Sequence, residues 1–275
     1  MYDKHKRKIY HMSSSSTIEE LQFLAVTKNA DVWKSISSSI MAIVDQAYFE
    51  ADSKGLTFRS MDPSHIALID ISWPASSFEK YECPSTLKFG LRISDFAKIL
   101  KRTGHDDSIE INVKGSSLNI KTTGGYVRNY KMNVLDSGGE NAFPLPKLTF
   151  DSKIVVSTAI LDKIFSDVEV VSKNITIETS IDEKMVAKFS GNSDSGSVAL
   201  TVDGKSKIET IQDITVKENS KSGYNMDYVS KIVKILSPVC NNVVIEYSSK
   251  KPLKLGFVLP NSLTVEFFLA PRIEN

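Results

Sequence analysis

The chain reads as an α+β protein made of two duplicated domains. Three observations predict this class. From Phe23 onward the texture is short alternating strands punctuated by Gly, Asn, Asp and Ser, with only a few segments of helical period. A stretch with two glycines and two prolines, SGGENAFPLP at 137–146, interrupts the ordered chain near its middle, where no regular element can continue. The segments on either side then repeat two apolar helix patterns, at spacings of 128 and 133 residues, which is the mark of an internal duplication. With 275 residues, 41% hydrophobic and 24% charged, the chain has enough apolar area for two ordinary cores without metals or disulfides.

Residues 1–22 open with Lys4-His5-Lys6-Arg7-Lys8 and run through four serines without apolar periodicity, so a disordered basic arm is expected. The first domain is expected over 23–136. Its first helix carries Val32, Trp33, Ile36 and Ile40 on one face, followed by a strand at 47–52. Segment 59–71, RSMDPSHIALIDI, sets the turn-formers Ser60, Met61, Asp62 and Pro63 before a run that alternates as a strand from Pro63. A second helix shows Ile93, Phe96, Ile99 and Leu100 on one face, and Gly104-His105-Asp106-Asp107 reads as its C-cap and turn before a strand at 108–113. A connecting loop is expected at 137–149. The second domain, 150–275, repeats the order: Ile160, Leu161, Ile164 and Val168 lie 128 positions after the first helix's apolar set, with a strand at 175–180. Met226, Val229, Ile232 and Val233 lie 133 positions after the second set, with a strand at 242–247.

Catalytic chemistry finds little support. His5, His11, His65 and His105 have no helical i, i+4 partner, and Cys83 and Cys240 stand 157 positions apart outside any C-x-x-C cluster, so neither a zinc site nor a disulfide framework is expected. Gly124-Gly125 lacks the spacing of a phosphate-binding loop, no G-x-S-x-G occurs, and the acid pairs Glu19-Glu20 and Asp106-Asp107 lack desolvating neighbours. No cofactor is expected. An enzyme would need an acid/base constellation assembled across both domains. No apolar run approaches the ~20 residues of a membrane span and no secretory h-region follows the first bases, which suits a reducing intracellular compartment.

Thirty-four Lys and Arg oppose thirty-three Asp and Glu for a net charge of +1, so only the placement of charge is informative. Lys98 and Lys101 point away from the apolar stripe of their helix, and Lys231 and Lys234 recur 133 positions later. Arg102 extends the first set, while Asp95, Asp106 and Asp107 are expected outside that face. Lysines opposite an apolar stripe are also what any solvated helix carries. Their duplication is what favours a phosphate backbone, contacted without base readout and with strong salt dependence. No aromatics interleave, which favours a duplex over a single strand.

Ser60-Met61-Asp62-Pro63-Ser64-His65 resembles the S-M-D-x-S-H segment of sliding clamps of the proliferating cell nuclear antigen type. Phe268-Leu269-Ala270-Pro271-Arg272-Ile273-Glu274 looks like that family's C-terminal aromatic-L-A-P-K/R-I-E motif, and residues 94–101, SDFAKILK, look like its second inner helix. The resemblance runs from Phe23 to Asn275 at the family's relative spacing. It implies the DNA-clamp fold, with helices inside and antiparallel sheets outside, and a ring of three two-domain subunits around double-stranded DNA. Lys34 and Lys163 would join Lys98, Lys101, Arg102, Lys231 and Lys234 in facing the duplex. A pocket for an aromatic-bearing partner peptide would use Met61, His65, Ile66 and Leu68, the loop residues Phe143 and Leu145, then Pro252, Phe268, Ala270, Pro271 and Ile273. Met suits such a pocket because its unbranched, polarizable chain repacks around different ligands; the alternative is that these residues are ordinary core, an alternative that weighs most for His65. Ring closure would pair the edges of segments 126–131 and 195–201, with Tyr126, Val127, Tyr130, Ser197, Val198 and Leu200 at the contact. The partners implied are a replicative DNA polymerase, flap endonuclease, DNA ligase and an ATP-driven clamp loader.

Some features depart from that family's pattern. Its members are usually acidic, whereas this chain is neutral once residues 1–22 are set aside. Met41 and Val170 stand at helix positions where a basic residue is common, and the connecting loop begins rich in Gly. Homotrimer and heterotrimer both remain open, and a non-ring DNA scaffold without enzymatic activity is the alternative reading.

Overall fold

The computed structural model describes residues 20–28, 30–136, 143–183, 186–203 and 211–273. The expected arm lies outside these residues up to position 19, and so does the start of the connecting loop, 137–142. Leu21 and Gln22 belong to a strand and not to the arm.

The first half contains β1 (Leu21–Thr27), α1 (Ala30–Met41), β2 (Gln46–Asp52), β3 (Gly55–Met61), β4 (Ala67–Pro74), β5 (Lys80–Glu82), β6 (Leu87–Arg92), α2 (Ile93–Leu100), β7 (Ser108–Lys114), β8 (Ser117–Thr123) and β9 (Val127–Asn133). The second contains β10 (Ser152–Ser157), α3 (Thr158–Glu169), β11 (Asn174–Thr179), β12 (Val186–Ser193), β13 (Gly196–Asp203), β14 (Ile211–Val216), β15 (Ser220–Asn225), α4 (Met226–Leu236), β16 (Asn242–Tyr247), β17 (Leu253–Val258) and β18 (Thr264–Leu269). The strand expected from Pro63 begins at Ala67, because 62–66 form a tight turn stapled by the Asp62 side chain.

The duplication is carried by the buried faces. Ala30, Trp33, Ile36, Ser37 and Ile40 of α1 are matched 128 positions later by Thr158, Leu161, Ile164, Phe165 and Val168 of α3. Ile93, Phe96, Ala97 and Leu100 of α2 are matched 133 positions later by Met226, Val229, Ser230 and Val233 of α4. Each fully buried Leu, Ile, Val or Phe contributes ~1.5–3 kcal/mol, so these stripes, not intrinsic propensity, hold helices of this length. Val32, Ile99 and Ile160, expected on the apolar faces, are only half-buried at their margins.

Every strand pairing is antiparallel. One nine-stranded sheet, in the order β14-β10-β16-β17-β18-β4-β3-β2-β6, crosses both halves, and a five-stranded sheet (β5-β1-β7-β8-β9) and a four-stranded sheet (β13-β12-β11-β15) flank it. The halves join where β18 pairs with β4, from Thr264 opposite Ser72 to Leu269 opposite Ala67. Two short 3₁₀ turns, Ala75–Ser77 and Pro260–Ser262, clasp the same seam through reciprocal bonds between Ser77 and Asn261. By chain order and sheet position β9 is the counterpart of β18, and β13 the counterpart of β4. The pair that joins the two halves is therefore present a second time as two strands that end their sheets. The four helices form one layer: α1 packs on α2, α3 on α4, and α1 meets α4 across the seam.

Candidate functional site: a helix layer, two strand edges and a tight turn beside a cleft

On the helix layer, Lys98, Lys163 and Lys231 lie opposite the buried stripes and are exposed, as are Lys101, Arg102 and Lys234. Among the described residues Lys101, Arg102, Lys163, Lys231 and Lys234 make no ion pair, whereas Lys98 is held 3.0 Å from Asp95. That pair overturns the expectation that Asp95 stands outside the lysine face: three positions along a helix bring two side chains together. Lys34, half-buried, is likewise held by Asp31 at 2.8 Å, and Asp31 also binds the His105 ring. Lys34 and Lys163 are not counterparts, since the 128-residue spacing puts Asp162 at the place of Lys34. α3 adds exposed Asp167 and Glu169. Cationic character therefore concentrates on α4 and on the exit of α2, while α1 is neutral and α3 acidic.

Both unpaired edges alternate between wet and half-buried positions. On β9, Val127, Asn129 and Lys131 are exposed, while Tyr130 and Met132 lean on the core. On β13, Ser197, Ala199 and Thr201 are exposed, and Val198 and Leu200 lean on the core. Tyr126 stands just before the strand, 64% exposed, where the chain bends, so the expected strand start moves by one residue. Its ring lies 4.5 Å from the Arg128 guanidinium. Arg128 donates to Asp107 at 2.7 Å and to the Arg102 carbonyl, tying this edge to the loop with the free cations.

Beyond the turn at 62–66, Met61 faces Leu68, Leu68 faces Phe268 and Phe268 faces Lys254, so that four neighbouring strands place these residues in one row. Leu68 and Phe268 are buried and form a floor, with the Lys254 ammonium above the Phe268 ring. Lys254 in turn bridges Glu266 at 2.8 Å and Glu246 at 3.3 Å; burial would lower its pKa, but the two carboxylates raise it. Met61, Phe143, Pro252, Ala270 and Pro271 are half-buried, whereas His65, Ile66 and Leu145 are exposed and Ile273 is 87% exposed. Phe143 meets His65 edge to face at 6.2 Å, and its carbonyl accepts from Arg59, itself paired to Asp70 at 2.6 Å. A cleft of about 420 Å³ adjoins this region, bounded by Ile66, Ala270 and Pro271 and by the unanticipated Lys173, Asp227 and Arg272. Asp62 is legible in the sequence as a turn-former but not as the acceptor of the Tyr228 hydroxyl, because a polar ring on an otherwise patterned helix is too common to single out.

Residues 22–135 match the family described as proliferating cell nuclear antigen, N-terminal domain, and residues 144–272 its C-terminal domain. The chain is 44% identical over 255 residues to the DNA polymerase sliding clamp of Nitrosopumilus maritimus, covering 93% of this chain and all of that relative. Among solved structures it superposes with TM-score 0.83 and 26% identity on the PCNA2–PCNA3 complex of Sulfolobus tokodaii, covering 91% of this chain and 100% of that one. With A. fulgidus PCNA bound to the C-terminal region of FEN-1 the TM-score is 0.82 at 22% identity, covering 92% and 99% of the two chains, a likeness of fold. The chain belongs to the proliferating cell nuclear antigen family of DNA polymerase sliding clamps.

Proposed function

We propose that this chain is a DNA polymerase processivity factor that encircles double-stranded DNA as a ring of three subunits, each built from domains at 23–136 and 150–275. The observation that carries the reading is the helix layer with free cations on its solvent face, flanked by two strands, β9 and β13, whose outer edges are unpaired among the described residues and whose counterparts already pair inside the chain. Repeating the β4–β18 junction between copies, as β13 against β9, is a heterologous contact of the kind that closes a ring. Six domain-sized arcs with helices inward would then surround the duplex. Lys101, Arg102, Lys231 and Lys234 would supply most phosphate contacts, Lys163 a weaker one, and the carboxylate-bound Lys34 and Lys98 the least. Such contacts are base-blind, so the ring slides, and escape requires breaking an edge pairing.

The floor of Leu68 and Phe268, together with Met61, His65, Ile66, Phe143, Leu145, Pro252, Ala270, Pro271 and Ile273, would receive an aromatic-bearing peptide from a DNA polymerase, flap endonuclease or DNA ligase. The FEN-1 segment bound to the A. fulgidus protein supports this reading. A clamp loader would open the ring with ATP, and the chain itself would catalyse no reaction. The deciding experiment loads the protein on nicked circular DNA with an ATP-driven loader and washes in high salt. Retention on closed circles and loss after linearisation is expected; equal retention on both forms would leave a linear-DNA scaffold instead.

A further inference from the structure

The turn at 62–66 is built around one buried carboxylate. Asp62 is 4% exposed, and its two oxygens accept from the backbone N–H of Ser64 at 3.1 Å, Ile66 at 2.8 Å and Ala67 at 2.7 Å. A fourth donor comes from the other half of the chain: the Tyr228 hydroxyl on α4, at 3.1 Å. Inside this girdle His65 sits at φ 59°, in the left-handed region that a non-glycine residue occupies only at a cost and only where its surroundings over-determine it. The Ile66 carbonyl in turn accepts from the Ala270 N–H at 2.8 Å, so the conformation of the turn sets where the C-terminal segment lies. Burial alone would raise the Asp62 pKa, yet the N–H donors and the phenol bring it below the ordinary value, while burial and the carboxylate push the phenol's pKa up. The carboxylate is thus the charged, accepting member.

We infer that Asp62, clamped by Tyr228 from α4, is the positioning device that holds His65 and Ile66 in the conformation a partner peptide meets, so that the peptide site is assembled across both halves of the chain. This rests on the peptide-docking reading above. Neither residue need touch the peptide. Tyr228 also lies one helical turn before Lys231, so the same hydroxyl links the turn to the helix carrying the free cations.

The test uses the full-length chain and, as probe, a synthetic peptide of the FEN-1 C-terminal region bound in the A. fulgidus complex. Tyr228→Phe removes only the hydroxyl; it should weaken the peptide about five- to tenfold with melting temperature and trimer content unchanged, and Asp62→Asn should weaken it more. In the Asp62→Asn background, Tyr228→Phe should have little further effect. Without peptide, Tyr228→Phe should speed hydrogen exchange of the Ser64, Ile66 and Ala67 amides relative to the rest of β4. An affinity within twofold of the unmodified protein, or unchanged exchange at those amides, would overturn the inference. If the unmodified protein fails to bind the peptide at all, the docking reading falls, and the amide exchange still decides whether Tyr228 holds the turn.

Discussion

Gly124 has no side chain because Asp107 leaves it no room: a Cβ there would stand 1.7 Å from the Asp107 Oδ1. The same carboxylate, 7% exposed, accepts from the Gly104 N–H at 2.8 Å and from Arg128 at 2.7 Å. Gly124→Ala should therefore push the carboxylate off the guanidinium and expose a nearly buried charge pair to mismatch. Breaking such a pair costs ~3 kcal/mol, or roughly 6–12 °C in melting temperature if the whole chain unfolds as one unit. Urea unfolding that placed the variant within ~0.5 kcal/mol of the parent would sink this account of the site. The turn role of Gly104-His105-Asp106-Asp107 was legible because Gly and Asp favour caps and turns locally. Its anchor was not, since Arg128 is 21 residues away and reaches Asp107 only through the β7–β8–β9 meander. Asp62 teaches the same lesson. A carboxylate before a turn announces the turn, but not the tyrosine on α4 that completes it.

At the scale of elements, legibility follows period. The four helices were readable because a 3.6-residue stripe concentrates each helix's burial into a few positions, and the same stripe exposed the 128- and 133-residue repeats. Charge on those helices was less readable, because a lysine's meaning depends on the carboxylate three residues away. Asp31 with Lys34 and Asp95 with Lys98 carry that spacing in plain sight. The helices therefore differ in their expected grip on DNA. Lys231→Ala with Lys234→Ala should lower the salt-dependence slope of duplex binding by about 0.9 for each phosphate no longer neutralised. Lys34→Ala should change it little. Asp167→Asn with Glu169→Gln on α3 should raise affinity, since like-signed charge facing a phosphate backbone opposes binding. Titrations of duplex binding against salt check all three, and an equally reduced slope at Lys34 and Lys231 would show that the ion pairs do not set the order.

The whole molecule adds what no local pattern holds, the order in which strands meet. β4 and β18 are separated by most of the chain, and nothing in either strand names the other. Once they are seen paired, the duplication makes the outer edges interpretable. Phe267 in β18 faces Leu255, which faces Ile245; Tyr130 in β9 faces Ile120, which faces Ile111, at the corresponding places. Ile71 in β4 faces Phe58, which faces Phe49; Leu200 in β13 faces Phe189, which faces Ile177. Leu200 thus matches Ile71, and Val198 matches Ile69, the residue opposite Phe267 in the internal junction. If the ring closes by repeating that junction, Tyr130 of one subunit should stand opposite Val198 of the next, burying two side chains that a lone subunit leaves half-covered. Directly opposed residues place their Cβ atoms ~4.5–5.5 Å apart on one face, close enough for a disulfide after a small adjustment. With Cys83 and Cys240 replaced, Tyr130→Cys and Val198→Cys in the same chain should oxidise to covalently closed trimers. Tyr130→Cys with Ala199→Cys should not, because a one-residue slip turns the second thiol to the other face. Cross-linking by the Ala199 pair alone, or by neither pair in a protein that sediments as a trimer, would mean the outer junction uses a register of its own and that the duplication is a guide to the fold without being the template for the ring.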